Sequence, residues 1–154
     1  MEKICTFFGH RHIPVGLETN LEQAVTNLIN NEEVDTFWVG GHGEFDKMAA
    51  ACIRNLQTQY PHIRLILIVA YARQLHAYGD IFPFDGFDYP LEAENAPQKF
   101  AISARNRYMA ANADFVIAYV RKDYGGAYEA LQTARSHGKP VLNLFCSSDS
   151  LPEE

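Results

Sequence analysis

Apolar runs that stop at glycine constrain this chain more than any other feature. Ile4-Cys5-Thr6-Phe7-Phe8 stops at Gly9 and passes into His10-Arg11-His12. Phe37-Trp38-Val39 ends in Gly40-Gly41-His42-Gly43-Glu44-Phe45-Asp46, and Ala49 to Leu56 behind it has helical character. Phe115 to Val120 leads through Arg121-Lys122-Asp123-Tyr124 into Gly125-Gly126-Ala127-Tyr128-Glu129. Runs of this composition read as strands. Glycine at their ends lets the backbone turn sharply and approach a ligand without a Cβ in the way. Arg64 to Ala70 is apolar almost throughout, as a strand buried on both faces must be. Between the runs, Leu17, Leu21, Ala24, Val25, Leu28 and Ile29 recur at helical spacing.

Strand and helix therefore alternate. Right-handed crossovers then impose an α/β architecture of three layers, α/β/α, around a mainly parallel sheet of about five strands. The expected strands are 4–8, 34–39, 64–70, 115–120 and 141–145. The expected helices are 17–29, with Asn30-Asn31 as a stop, then 43–60, 96–111 with Pro97 in the first turn, and 127–136 closed by Gly138. Residues 1–154 make a single domain with a polar tail over 146–154. All the glycine-ended runs would meet at the carboxyl edge of the sheet, where such folds bind ligands.

Residues 71–95 break the rhythm. Tyr71, Tyr78, Phe82, Phe84, Phe87 and Tyr89 are interleaved with Pro83, Asp85, Gly86, Asp88 and Pro90. The stretch is too aromatic for a disordered linker and too interrupted for a regular strand. It reads either as a packed loop or lid beside the site, or as a cover for the sheet edge or a dimer contact.

The net charge of −6 argues against a nucleic-acid partner, which calls for a basic face, although it leaves room for a local positive pocket. Cys5, Cys52 and Cys146 have no metal-type spacing and read as reduced thiols of a cytoplasmic protein. The N-terminus has no signal-peptide pattern, and the longest apolar run, Leu65 to Ala72, falls short of a membrane span.

Gly9-His10-Arg11, the Gly40-to-Asp46 stretch, Arg105-Asn106-Arg107-Tyr108-Met109 before Asp114, and Gly125-Gly126 follow one another in an order that resembles the SLOG superfamily of Rossmann-like proteins. That superfamily takes in the LOG phosphoribohydrolases, the DNA-processing DprA proteins and a small bacterial single-domain branch, to which this chain looks closest. The resemblance runs from residue 4 to 146. It implies a Rossmann-like fold, a nucleotide-like ligand and a homodimer or larger homo-oligomer. LOG enzymes carry an Arg-Lys-x-x-Met helix and a Pro-Gly-Gly-x-Gly-Thr-x-x-Glu turn. Arg105 and Met109 match the first, with Asn106 in place of the lysine. Gly125-Gly126-Ala127-Tyr128-Glu129 lacks the second Gly-Thr step, so Glu129 falls closer to the glycines.

The expected site follows from these residues. Gly40, Gly41 and Gly43 at a helix start would hold a phosphate. Of Arg105 and Arg107, two apart on one helix, Arg105 suits a bidentate anion contact. Gly9, His10, Arg11, His42, Gly125 and Gly126 would line the pocket, and Asp46 would cap its helix or meet a sugar hydroxyl. Glu129 is stabilised by its helix dipole, or serves a ribose hydroxyl or an acid–base step. His10, His12, His42 and Asp46 lack metal-ligand spacing, so neither metal nor cofactor is expected. The leading function is binding of a nucleotide or other phosphorylated small molecule, as a sensor. The alternatives are a nucleoside 5′-monophosphate N-glycosidase, with Arg105 and Glu129 catalytic, and a DNA-processing accessory.

Overall fold

The structure is a computed structural model and describes residues 2–78 and 84–145. The side chain of Tyr78, residues Phe82 and Pro83 of the aromatic segment, Cys146 and the tail 147–154 lie outside the described residues. The sheet has six strands, β1 (Ile4–Gly9), β2 (Thr36–Val39), β3 (Arg64–Ile68), β4 (Gly86–Asp88), β5 (Phe115–Tyr119) and β6 (Val141–Asn143). Their order is β4-β3-β2-β1-β5-β6, and every neighbouring pair is parallel. The helices are α1 (Leu17–Glu32), α2 (Gly43–Leu56), α3 (Arg73–Tyr78), α4 (Leu91–Glu94), α5 (Ala101–Asn112) and α6 (Gly126–Ser136). This is the Rossmann-like three-layer fold.

Period-two alternation sorts each strand into two cores. Cys5, Phe7, Phe37, Val39, Leu65, Leu67, Ile117 and Tyr119 face α1 and α2, meeting Leu21, Val25, Phe45 and Ile53. Ile4, Phe8, Trp38, Ile66, Ile68, Val116 and Ala118 face α5 and α6, meeting Met109, Ala110, Leu131 and Ala134. Each fully buried side chain of this size contributes about 1.5–3 kcal/mol. Trp38 stacks on Tyr108 at 5.6 Å, and the Tyr108 hydroxyl donates to Asp88 Oδ2 at 2.8 Å. α5 is thereby tied to both the middle and the edge of the sheet. Cys5 and Cys52 are free thiols. No described helix is long and apolar enough to cross a membrane.

Three expectations need correction. The sheet has a sixth strand, β4, inside the segment read as loop; it is three residues long and pairs on one side only, so Gly86 and Asp88 do it little harm. The helix expected from Ala96 begins at Ala101. Ala96, as the residue before a proline, resists the helical conformation, and Pro97 is extended (ψ 144°) and caps a 3₁₀ turn over Gln98–Phe100. β6 stops at Asn143, whose side-chain amide takes over the pairing by accepting from Val120 N (3.0 Å) and donating to Val120 O (2.9 Å).

Gly9 ends β1 directly under α2. A Cβ there would stand 2.3 Å from Phe45 Cγ, and Phe45 is fully buried. Gly9→Ala is therefore expected to lose about 1–3 kcal/mol of stability through overpacking. A urea midpoint equal to that of the unaltered protein would refute this tight approach.

Candidate functional site

The strand order reverses at β1, between β1 and β5. Helices then leave for opposite faces on either side of this point, opening a crevice at the carboxyl edge. A hollow of about 240 Å³ lies there, lined among others by Gly9, Arg11, Gly40, His42, Arg105 and Gly126. His10 straps its two sides together. Its backbone N–H donates to Tyr119 O (3.2 Å), and its Nε2 accepts from Arg121 N (2.9 Å) and Lys122 N (3.3 Å). His10 thus positions the β5–α6 loop from the β1 side.

The Gly40-Gly41-His42 turn between β2 and α2 is gripped from below. Arg105, only 2% exposed, reaches across from α5 and donates Nη1 to Gly40 O at 2.6 Å and to Ile68 O at 3.4 Å. Its Nε donates to Asn106 Oδ1 at 3.1 Å, and Nη1 lies 3.2 Å from His42 Nδ1. Gln74 completes the grip, donating Nε2 to Gly40 O (3.0 Å) while its Oε1 accepts from Ala70 N (2.7 Å). A Cβ on Gly40 would meet Arg105 Cζ at 2.7 Å, so the glycine makes room for the guanidinium. On the other side, Asp46 Oδ2 accepts from His42 N at 2.9 Å, and the N–H groups of Gly40 and Gly41 also favour its charged form. The N–H groups expected to hold a phosphate are thus turned to the protein's own carboxylate. Glu44 and Asp46 make the first turn of α2 acidic.

The electrostatics identify what surrounds the hollow. Burial pushes Asp46 up to about 6, against the pull of Arg105 and the turn's N–H groups. His42 is held down at about 4, first by withdrawal of its ring from water and then by Arg105, Arg11 and Arg73. The charges of three guanidiniums, on α5, the β1–α1 loop and α3, thus all disfavour the protonated imidazole. Burial also lowers Arg105, with Asp46 and Tyr71 acting in the opposite sense. Opposite His42, α6 opens at Gly125 (φ 94°) with no side-chain cap, and Gly126 and Ala127 line the hollow. The first N–H groups of a helix have no intrahelical partner, so this end offers donors to an anion.

The structure brings together Gly9, Arg11, Gly40, His42, Gly43, Asp46, Arg105 and Gly126, with Gly41 in the same turn and Gly125 capping α6. Arg11 is exposed and Arg105 buried, so they differ in role. Arg107 and Glu129 line an adjoining hollow with Ser103 and Thr133, which shares Asn106 and Gly126 with the first. Arg105 and Glu129 thus serve different hollows. His12 pairs with Glu44 at 3.9 Å, away from any ligating cluster. Among the described residues no three His, Cys, Asp or Glu side chains gather as for a metal ion. Gln74 escaped sequence reasoning; a glutamine in an irregular segment carries no signal until its backbone partners are known.

No family model and no curated protein matches the chain by sequence. Solved structures do match in fold. DNA processing protein A (DprA) from Streptococcus pneumoniae superposes with a TM-score of 0.64 at 20% identity, covering 92% of this chain and 49% of that one. DNA processing protein A from Helicobacter pylori, described for its single-stranded DNA binding mode, gives 0.62 at 19%, covering 90% and 63%. The chain thus spans about half to under two thirds of those proteins. Its fold is the DprA-like, Rossmann-like one that the SLOG resemblance implied. The expectation that excluded a nucleic-acid partner is overturned, because a protein of this fold binds single-stranded DNA. Net charge was the wrong measure: −6 sums the whole surface, whereas Arg11 and Arg105 line one hollow.

The two shifts oppose each other in acid. His42, depressed from 6.5 to about 4, contributes stability that is full above 6.5 and lost as pH falls towards 4. Asp46, raised from 3.8 to about 6, contributes stability that is full below 3.8 and lost as pH rises through 6. In an NMR titration His42 should stay neutral down to about pH 4, and Arg105→Ala should move its midpoint upward. A midpoint at 6.5 in the unaltered protein would contradict the cluster.

Proposed function

We propose that the chain binds single-stranded DNA along the carboxyl edge of its sheet, with a backbone phosphate in the hollow beside Arg11 and Gly126. The observation that carries this reading is one hollow lined by Arg11, His42 and Arg105 and by Gly126 at the uncapped start of α6. An anion there meets guanidinium donors on one side and helix N–H groups on the other. Arg11 is the exposed member and makes the phosphate contact; Arg105 holds the turn and supplies field from below.

Size favours a strand over a free nucleotide. Pockets that bury a whole ligand run to about 300–1,000 Å³, and this one has about 240 Å³. It suits a phosphate with part of a sugar, leaving the base to find its own surface. Exposed aromatics beside cations stand ready nearby: Tyr124, 64% exposed, lies with its ring 5.6 Å from Lys122 Nζ. Aromatic faces next to a basic groove are how single strands are held without sequence preference.

Binding of a free nucleotide is the second reading, since the same phosphate position would serve it. N-glycosidic cleavage draws no support from the geometry. Arg105 donates Nη1 to two backbone carbonyls and Nε to the Asn106 side chain, and Glu129 lines the neighbouring hollow.

Fluorescence anisotropy with labelled oligo(dT) over a salt series tests the proposal. Affinity should fall with a log–log slope of about −0.7 for each phosphate engaged. Arg11→Ala should weaken binding and make the slope shallower by about that one increment. Equal or tighter binding of a duplex would count against a single-strand site. Thermal stabilisation by mononucleotides, with no oligonucleotide binding at any salt, would establish the second reading instead.

A further inference from the structure

A second hollow of about 350 Å³ opens beside the first, at the carboxyl end of β3. Buried Ala70, Ala93 and Ala101, with Ala72 and Ala96 also in its lining, leave the room that larger side chains would fill. Its walls carry Tyr71, Arg73, Tyr89, Glu94 and Gln98. We propose that this hollow is a nucleobase subsite that prefers guanine, seating the base next to the phosphate held beside Arg11. The inference rests on the single-strand reading above and assigns what that reading leaves open, the place of a base.

Tyr71 is a fixed platform. Its hydroxyl donates to Gln98 O at 2.9 Å, which pins the far end of the ring to the 3₁₀ turn before α5. Arg73 lies over the ring with Cζ 4.2 Å from the centroid. A tyrosine face and a guanidinium plane both stack on bases, and here they are already ordered against each other. Tyr71 alone of the described aromatics in 71–95 takes this place at the rim with a cation upon it. Phe87 is 60% exposed on the outer strand β4 beside Leu67, and Phe84 packs on the core below.

The hollows are adjacent. Ala101 lines the second and Ile102 the first, consecutively on α5. Gln74 links their rims, donating to Gly40 O of the first and accepting from the N–H groups of Ala70 and Tyr71 of the second. A strand crossing the rim would thus meet a phosphate site and then a base site.

The polar groups give the subsite its preference. A carboxylate accepts hydrogen bonds and cannot donate them, whereas a glutamine amide does both. Guanine presents N1–H and N2–H₂ side by side, with the O6 acceptor next to them. Glu94 can take the two donors and the Gln98 amide can donate to O6. Thymine offers one N–H flanked by two carbonyl oxygens, which a carboxylate repels. Cytosine and adenine present one amino group each and fall between.

The test uses the full chain and fluorescein-labelled pentadeoxynucleotides d(TTGTT), d(TTTTT) and one with a central abasic site. The unaltered protein should bind d(TTGTT) at least about fivefold more tightly than d(TTTTT), the lower bound for a paired donor–acceptor contact. Glu94→Gln, at an exposed position, should abolish that preference by weakening d(TTGTT) and tightening d(TTTTT). Tyr71→Ala should weaken both base-bearing strands about fivefold or more and spare the abasic one. Tyr71→Phe, which keeps the ring, should retain most of the affinity. Equal binding of all three strands, or a guanine preference that survives Glu94→Gln, would overturn the base subsite while the phosphate reading stands. Failure of every strand to bind, longer oligo(dT) included, would remove the single-strand reading itself.

Discussion

The hydrogen bond from Arg105 to the Gly40 carbonyl joins the two halves of the molecule at its functional edge. Arg105 comes from α5 on one face of the sheet, and Gly40 ends the strand that feeds α2 on the other. A buried guanidinium is costly unless its donors are met, and here Gly40, Ile68 and Asn106 supply oxygens. Asp46 answers from the far side of the same turn, so the turn is fixed by opposite charges acting on opposite polar faces of its backbone. Replacing either charge would leave the other buried without its counterpart.

Burial and the charges of Arg105, Arg11 and Arg73 hold His42 neutral down to about pH 4. Low dielectric around a crevice strengthens such charge–charge effects, so a net charge of −6 does not set the local field there. The α2 N-terminus, the obvious anion site by sequence, is neutralised by Asp46 and flanked by Glu44. The α6 N-terminus, by contrast, has no side-chain cap.

Much of the architecture was legible because it rests on periodicity. β1, β2, β3 and β5, with α1, α2 and α6 behind their glycine turns, sit where apolar runs and helical spacing put them. Helix geometry put Arg105 and Arg107 on different sides without saying which faces inward; the family pattern favoured Arg105, and Arg105 is the buried one, its donors turned to the protein's own oxygens. The 71–95 segment resisted because β4 has only three residues and borrows its stability from β3. The roles of Gly9, Gly40 and His10 were hidden for a different reason. Each is set by a partner distant in sequence: Phe45, Arg105 and the Arg121-Lys122 backbone. Such roles depend on tertiary contact, which local pattern does not encode.

The central claim is that nucleic acid meets the carboxyl edge and not another face. Chemical-shift mapping of the ¹⁵N-labelled protein with oligo(dT) tests it most directly. The account predicts that the perturbed amides fall at residues 9–12, 40–43, 70–74 and 121–127. Perturbations gathered instead on the outer surface of α1 and α2, with these loops unmoved, would contradict it.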